Sequence, residues 1–147
     1  MSIDNIFDIA ASGMSAQTIR LNTVSSNIAN AQSVSSNTDE TYRAKMPVFQ
    51  TMYGRAVDQA FGPTSETTGA QHGVKVVDII ESQEPLQMRY EPNHPMADEK
   101  GFVAYPNVNV IEEMANMISA SRSFQSNVDV LETAKTLMSR VIALGQG

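Results

Sequence analysis

Apolar residues recur at alternating steps of four and three near both ends of the chain, a spacing that aligns them along one seam of an amphipathic helix. The first pattern covers residues 3–31, and the second runs from Val110, just after a potential capping residue, Asn109, to the glycines at the end of the chain. We therefore expect two long helices, within residues 1–31 and 106–147. The apolar seam positions are Ile3, Phe7, Ala10, Met14, Leu21, Val24, Ile28 and Ala31 in the first helix, and Val110, Met114, Met117, Phe124, Val128, Leu131, Met138 and Ile142 in the second.

The middle of the chain, residues 32–105, has a different pattern. Short stretches rich in Val, Ile, Tyr and Phe alternate with Gly and Pro, which is typical of strands and turns. The predicted strands lie within residues 42–53, 74–81, 87–90 and 102–105, and residues 62–73 are predicted to form a loop or hairpin tip.

These patterns predict an α+β fold, mainly α, with three regions. If the first helix leads into the middle region and the second leads back out, the two pack most simply as an antiparallel coiled coil. Residues 1–31 and 106–147 would then form one discontinuous helical domain, and residues 32–105 a β-hairpin-rich insertion.

Composition excludes several classes of function. A net charge of −6 disfavours binding to nucleic acid, and the absence of Cys excludes disulfides and thiolate chemistry. No apolar run approaches the roughly 20 residues of a membrane-spanning helix. The N-terminus lacks the basic and apolar regions of a secretory signal, so we expect the chain to remain in the cytosol or to leave it without a cleaved leader.

Recognisable catalytic and ligand-binding motifs are absent from the sequence. The two histidines, His72 and His94, have no metal-ligand spacing, and the 62–73 segment lacks the Gly-Lys-Ser/Thr of a phosphate loop. The adjacent Glu112 and Glu113 are explained by their position near the positive N-terminal end of the second helix. We therefore expect no metal, no cofactor and no small-molecule substrate.

The polar surfaces of the predicted helices are unusual. Residues 1–31 carry only Asp4, Asp8 and Arg20 as charged groups, whereas an exposed helix commonly shows Glu and Lys pairs. Gly13 costs a further ~1 kcal/mol relative to Ala. Small neutral side chains allow other helices to approach closely, so we interpret both helices as surfaces completed by neighbouring subunits, with loosely ordered ends in the monomer. The alternative is an ordinary two-helix body with a polar surface.

Several segments resemble one family. Residues 25–33, SSNIANAQS, resemble the Ser-Asn-x-Ala-Asn-Ala segment of bacterial flagellar rod and hook proteins. Further segments resemble proximal-rod members of that family: Tyr42-Arg-Ala-Lys45, residues 90–98, 101–103 and 106–109, and EEMANMISASRSFQSNVDVLETAKTLMSR at 112–140. Ser-Val-Ser-Ser-Asn-Thr-Asp-Glu-Thr replaces the Thr-Pro-Gly-Tyr-like turn of many relatives, which leaves open the path from the helix to the first strand.

The resemblance implies a structural, non-enzymatic subunit of the proximal rod in the flagellar basal body. The rod spans the periplasm and transmits motor torque to the hook, and its subunits are exported by the flagellar type III apparatus without a cleaved signal. The implied partners are further copies of the chain and the rod proteins FlgB, FlgF, FlgG and FliE. Neither a cofactor, nucleic acid nor membrane insertion is implied.

The same resemblance implies an interface between subunits along the helices. Asn27 and Asn30 would fix the helix end and the following turn, or simply cap the helix, and Arg122 would form an ion pair between subunits or face solvent. The implied interface residues are Ile3, Phe7, Met14, Leu21, Val24, Asn27, Ile28, Asn30, Met114, Met117, Arg122, Phe124, Val128, Leu131, Met138 and Ile142.

Two other functions remain open from the residues alone. A soluble helical secretion chaperone or binding module could hold a partner helix against its apolar stripe. A small cell-wall glycan hydrolase would need two facing carboxylates. The candidates for that pair are Asp58, Glu66, Asp78 and Glu81.

Overall fold

The chain has a long helix at each end and short antiparallel strands between them. The computed structural model describes residues 3–53 and 71–145. The predicted α+β class is confirmed. Of the loop predicted at residues 62–73, positions 62–70 lie outside the described residues, and residues 71–73 belong instead to the second strand, which pairs with the first. In chain order the elements are α1 (Ile3–Asn30), β1 (Lys45–Tyr53), β2 (Gln71–Glu81), β3 (Gln87–Tyr90), β4 (Phe102–Tyr105) and α2 (Val110–Gly145).

The two helices pack against each other in opposite directions. The Asn127 side chain lies against Gly13, where an added Cβ would be only 2.9 Å from its Nδ2. Two turns further along α1, Arg20 Nη2 donates a hydrogen bond of 3.0 Å to Asn116 Oδ1. Residue numbers rise along α1 as they fall along α2, so the packing is antiparallel.

The predicted seam of α2 also passes through Ser121 and Lys135, and it departs from the buried face at four of its ten positions, which are exposed: Met114, Ser121, Lys135 and Ile142. The two buried residues of α2 are Ala120 and Ala134, each of which precedes an exposed seam position, Ser121 or Lys135. Met114 is also exposed. The physical reason is the small size of alanine, which lets another backbone approach closely, whereas the larger side chains remain at the surface. Seam positions Met117, Phe124, Leu131 and Met138 are half-buried.

A second side of α1 packs against the sheet formed by β1 and β2. Ser12 Oγ accepts a 3.1 Å hydrogen bond from the Val74 backbone N–H and donates one of 2.7 Å to the Ile9 carbonyl. Gly73 has a φ of +128°, and a Cβ there would overlap with Ser12 Oγ. Glycine is therefore required where the sheet meets the helix.

The strands form two separate two-stranded antiparallel sheets, β1–β2 and β3–β4. The β1–β2 register changes between Val48 and Phe49, which leaves Val77 as an extra residue in β2. Met46 and Ile80 are paired across this sheet and both are exposed. Two strands alone are marginally stable in water, so the β1–β2 sheet depends on its contact with α1.

The longer helix, α2, extends beyond the start of α1. Its 36 residues correspond to roughly 54 Å, against roughly 42 Å for the 28 residues of α1. Residues 139–145 are all exposed. Neither described helix is long and apolar enough to cross a membrane.

Candidate assembly surfaces

Asn27 connects the last turns of α1 to the start of β1. Its side chain is fully buried. Oδ1 accepts hydrogen bonds of 2.9 Å from the Tyr42 hydroxyl and from the Lys45 backbone N–H, and Nδ2 donates one of 2.9 Å to the Lys45 carbonyl. One side-chain amide therefore satisfies both backbone groups of Lys45.

Asn107 makes the corresponding connection from the segment that precedes α2. Its Oδ1 accepts a 2.8 Å hydrogen bond from the Ala44 N–H, and its Nδ2 donates one of 2.9 Å to the Glu84 carbonyl. The Ala44 carbonyl accepts a 2.7 Å bond from the Ser82 N–H. Arg43 Nη1 donates to the Ser82 and Glu84 carbonyls at 3.4 and 3.2 Å. We call Asn27, residues 42–45, Ser82, Glu84 and Asn107 the junction.

The junction gives the path from α1 to the first strand that the sequence left open. Residues 42–44, predicted as strand, precede β1, because their polar groups bond to the two asparagines and to the end of β2 instead of a strand ladder. Asn30, in contrast, makes a local 2.8 Å bond to the Ser26 carbonyl one turn earlier. Of the two asparagines singled out in the sequence, Asn27 makes the tertiary contacts.

Glu113, in the first turn of α2, lies beside this buried amide. Burial raises the pKa of its carboxyl above the ordinary 4.5; the Asn27 amide and Arg20 oppose the increase, and Glu112 adds to it. Its Oε2 is buried without a hydrogen-bond partner among the described residues. The position near the helix N-terminus favours the charged form, but the loss of hydration outweighs that effect.

The segment before α2 is held by its own polar and aromatic contacts. Asp98 Oδ1 accepts bonds of 2.9 and 2.8 Å from the Lys100 and Phe102 N–H groups. The rings of Tyr90 and Phe102 meet edge to face with centroids 5.3 Å apart. Gly101, with a φ of +82°, turns the chain immediately before Phe102. These contacts order the turn at residues 98–101.

The implied interface residues occupy three environments. Val24 and Asn27 are buried within the chain, and the Ile3 side chain lies outside what the structure describes. The half-buried members are Phe7, Met14, Leu21, Ile28, Asn30, Met117, Phe124, Val128, Leu131 and Met138, and the exposed members are Met114, Arg122 and Ile142.

The structure also exposes large apolar residues that the single-seam pattern omitted. On α2, Ile111 and Leu144 are 81% and 82% exposed. The sequence held a signal for these positions, since Ile111 and Ile118, and likewise Val130, Leu137 and Leu144, recur at intervals of seven. The residues missed on α2 are Ile111, Ile118, Val130, Leu137, Val141 and Leu144, and those missed on the β1–β2 sheet are Met46, Val48, Phe49, Val77, Ile79 and Ile80.

The carboxylates considered for glycan hydrolysis do not form a described facing pair. Asp78 and Glu81 lie three residues apart on β2, so their side chains project from opposite faces of the sheet. Glu81 lies 3.8 Å from Lys45 Nζ. Asp58 and Glu66 are outside the described residues. Within the described residues, 3–53 and 71–145, no group of His, Asp and Glu side chains is arranged to hold a metal ion.

Replacing Asn27 with Ala is expected to destabilise the chain strongly. The change leaves both backbone groups of Lys45 without their partner, and each buried unsatisfied group costs about 1–3 kcal/mol. Urea unfolding should show a loss of about 3 kcal/mol or more. Asn30→Ala is the matched control, with an expected loss of about 1 kcal/mol because one local bond is removed. Equal losses in the two variants would contradict the central role of Asn27.

Replacing Glu113 with Gln is expected to stabilise the chain at neutral pH. A carboxyl whose pKa is raised by folding stabilises the folded state at low pH, and that contribution is lost as pH rises through the raised pKa. The amide mimics the protonated form, so its advantage should appear above about pH 4.5 and disappear below it, and should be under about 1 kcal/mol because Glu113 is only partly buried.

Unfolding curves of wild type, Glu113→Gln and the exposed neighbour Glu112→Gln at pH 4 and pH 7 would measure this difference. Glu112→Gln should give no comparable gain at pH 7. A lower stability of Glu113→Gln at pH 7 would mean that Arg20 and Asn27 more than compensate for the burial of the charge.

Two segments of the chain, one around each long helix, match family models of flagellar rod proteins. Residues 7–35 match a family model described as "Flagella basal body rod protein". Residues 99–144 match one described as "Flagellar basal body rod FlgEFG protein C-terminal". The first match covers most of α1 and the first residues of the connection after it, and the second covers β4 and nearly all of α2.

Curated relatives cover the whole chain, including the junction and both sheets. The flagellar basal-body rod protein FlgC of Escherichia coli O6:H1 is 50% identical over 146 residues, which span 99% of this chain and 100% of the relative. FlgC of Salmonella typhimurium is 49% identical over the same shares, and FlgC of Borreliella burgdorferi is 33% identical over 100% of both chains. The chain therefore belongs to the FlgC family of flagellar basal-body rod proteins.

Proposed function

We propose that this chain is a structural, non-enzymatic subunit of the proximal rod, and that α1 and α2 pack against the helices of neighbouring subunits. The observation that carries the proposal is the row of large apolar side chains left exposed along α2. Each Å² of apolar surface removed from water contributes about 25 cal/mol, so covering these side chains would stabilise an assembly.

In the proposed arrangement, residues 1–31 and 106–147 act as one discontinuous helical domain with coiled-coil packing. The contacts of Gly13 with Asn127 and of Arg20 with Asn116 support a close antiparallel pair. Residues 32–105 form the second region, which the junction fastens to both helices. A rigid connection suits a rod that carries torque, because a twist applied to one region is passed to the other.

The proposed partners are further copies of the chain and the rod proteins FlgB, FlgF, FlgG and FliE. The proposed location is the periplasmic part of the basal body, reached through the flagellar type III apparatus without a cleaved signal peptide. The core supports passage as an unfolded chain, because the buried apolar side chains of the described residues are Ala, Val and Pro106, which bury less area each than Leu, Ile or Phe and so resist unfolding less. Once assembled, the rod would transmit motor torque to the hook.

The solvent exposure of each proposed interface residue indicates whether it would contact a neighbouring subunit or support the helix from inside the chain. Met114, Arg122 and Ile142 would contact neighbours directly, whereas Val24 and Asn27 would maintain the shape of α1 from inside the chain. Arg122 has no acidic residue three or four positions away in either direction, so it has no partner for an ion pair on adjacent turns of its own helix. An ion pair between subunits is therefore proposed for Arg122.

Amide exchange tests whether assembly orders the helices. In the dilute monomer, residues 139–145 and the start of α1 should exchange fast relative to the junction, because partnerless helix ends fray. The same amides should become protected at concentrations where light scattering detects association. Equal protection of α1 and the junction in a confirmed monomer would contradict the proposal and favour a chaperone-like binding module.

Charge reversal at Arg122 tests the proposed ion pair. Arg122→Glu should weaken assembly and motility while leaving the unfolding free energy of the monomer within ~0.5 kcal/mol, as for other exposed positions. Lys100→Glu, in the turn before β4, is the matched control and should assemble normally. Unchanged rod assembly and swimming in Arg122→Glu would remove the ion pair from the proposal.

A further inference from the structure

Three apolar side chains near the start of α2 form a ridge that α1 of the same chain does not cover. Ile111, Met114 and Ile118 are each more than half exposed, and their spacings of three, four and seven residues align them on one side of the helix. Ala120, which is buried within the chain, comes two positions after Ile118 and so points to nearly the opposite side. We call Ile111, Met114 and Ile118 the ridge.

One charged side chain lies directly beyond the ridge. The exposed Arg122 follows Ile118 by four residues and Ile111 by eleven, and both intervals return to the same side of a helix. Glu112 projects about 100° around the axis from Ile111 and farther from Met114 and Ile118, so it lies off the ridge. A surface that covers the ridge should therefore carry an acidic side chain beside Arg122.

The exposed side of α1 has that combination. Asp8, Ala11, Ser15 and Thr18 are all exposed and follow one another at intervals of three and four, so they share one side of α1, which we call the outer face. The small side chains after Asp8 allow Ile and Met side chains to approach closely. The Thr18 hydroxyl already donates a 2.9 Å hydrogen bond to the Met14 carbonyl, so covering it leaves no hydroxyl donor unpaired.

The spacings of the ridge and the outer face match when the two helices run antiparallel. Each step of three or four residues back along α2 from Arg122 meets a step of three or four residues forward along α1 from Asp8. The aligned pairs, with the second residue of each pair in a second copy, are Arg122 with Asp8, Ile118 with Ala11, Met114 with Ser15 and Ile111 with Thr18.

Asp129, an exposed acidic residue further along α2, is a poorer partner for Arg122. Its Oδ1 already accepts a 3.3 Å hydrogen bond from Gln125 Nε2. Pairing it with Arg122 of another copy would set two α2 helices antiparallel and bring Ile111 against the exposed Arg140. The apolar ridge would then cover a charged side chain instead of small ones, which costs hydration of the charge.

We propose that the ridge and Arg122 of one copy bind the outer face of α1 in the next copy, with an ion pair between Arg122 and Asp8. This inference rests on the proposed function and names the partner of Arg122. Because the two surfaces differ and every copy carries both, the contact is heterologous and extends a file of subunits. The helices are antiparallel both within the chain and across the contact, so successive copies point in the same direction.

The contact also sets the displacement between successive copies. The contacts of the helix pair within the chain make Arg122 level with about residue 16 of its own α1. Across the proposed contact Arg122 is level with Asp8, which is roughly eight residues or roughly 12 Å nearer the start of α1. The next copy is therefore shifted by that distance along the helix axes.

Charge exchange in the full-length chain tests the partner of Arg122. Arg122→Glu and Asp8→Arg should each raise the concentration for half-maximal association, measured by light scattering, about tenfold, because like charges then meet. The double variant Arg122→Glu/Asp8→Arg restores opposite charges and should return to within about threefold of wild type. The matched control Arg122→Glu/Asp129→Arg should associate as weakly as Arg122→Glu. All these positions are exposed, so circular dichroism should show wild-type helix content.

Cysteine cross-linking tests the register, because the natural chain contains no Cys. After mild oxidation, a mixture of Ile118→Cys and Ala11→Cys should give a disulfide-linked band at twice the 16.0 kDa monomer mass on a non-reducing gel. Ser25→Cys is the matched control, since it lies on the same side of α1 but roughly 21 Å beyond Ala11. It should not react with Ile118→Cys, because a disulfide requires Cα atoms within about 7 Å of each other.

The outcomes distinguish this inference from the proposed function. Rescue of Arg122→Glu by Asp129→Arg, or a disulfide between two Ile118→Cys chains, would overturn the contact with α1 in favour of pairing between α2 helices. If wild type associates but Asp8→Arg fails to rescue Arg122→Glu, or the mixed cysteines do not react, this contact is wrong and self-association stands. If wild type stays monomeric at every concentration, both are wrong.

Discussion

The structure depends on the buried amide of Asn27. Backbone groups removed from water must be hydrogen-bonded, and at the start of β1 that requirement is met by side chains. Asn27 bonds to the N–H and carbonyl of Lys45, and Asn107 to the N–H of Ala44. Two successive backbone N–H groups are therefore held from opposite parts of the chain, one in α1 and the other just before α2. Both helices are fixed to the β1–β2 sheet at this one place.

Away from the junction, small apolar residues are buried and several large ones are exposed, which is the opposite of an ordinary globular domain. Among the residues that the structure describes, the buried apolar side chains are small: Ala10, Ala16, Val24, Ala44, Val103, Ala104, Pro106, Val108, Ala120 and Ala134. Larger residues such as Ile111, Leu137 and Leu144 are at the surface. Small side chains bury little area, so they contribute little hydrophobic stabilisation, but they let helices approach closely. In the proposed assembly, this distribution gives the assembled state hydrophobic stabilisation that the single chain lacks.

The polar junction and the apolar helix surface have complementary roles in this arrangement. Hydrogen bonds are directional, so the junction sets the orientation of α1, β1 and α2 without a large core. Hydrophobic contact is not directional, and it supplies affinity wherever a complementary surface covers it. In the proposed assembly, the junction sets the orientation of the elements, and neighbouring subunits add stability where they cover the apolar surface.

The sequence alone determined the extents of both helices, the capping of α2 by Asn109, all four strands to within three residues at each end, and the family resemblance. These features depend on neighbouring residues, and a local pattern contains them; Asn109, for example, accepts a bond from Ile111 two residues away. Only the tertiary structure decided that Ala120 and Ala134 are the buried residues of α2, because apolar residues occur on several sides of that helix. It also decided the partners of Asn27 and Asn107, whose bonds to Lys45 and Ala44 join residues 18 and 63 positions apart. No periodicity links residues at such distances, since their proximity results from the packing of the whole chain.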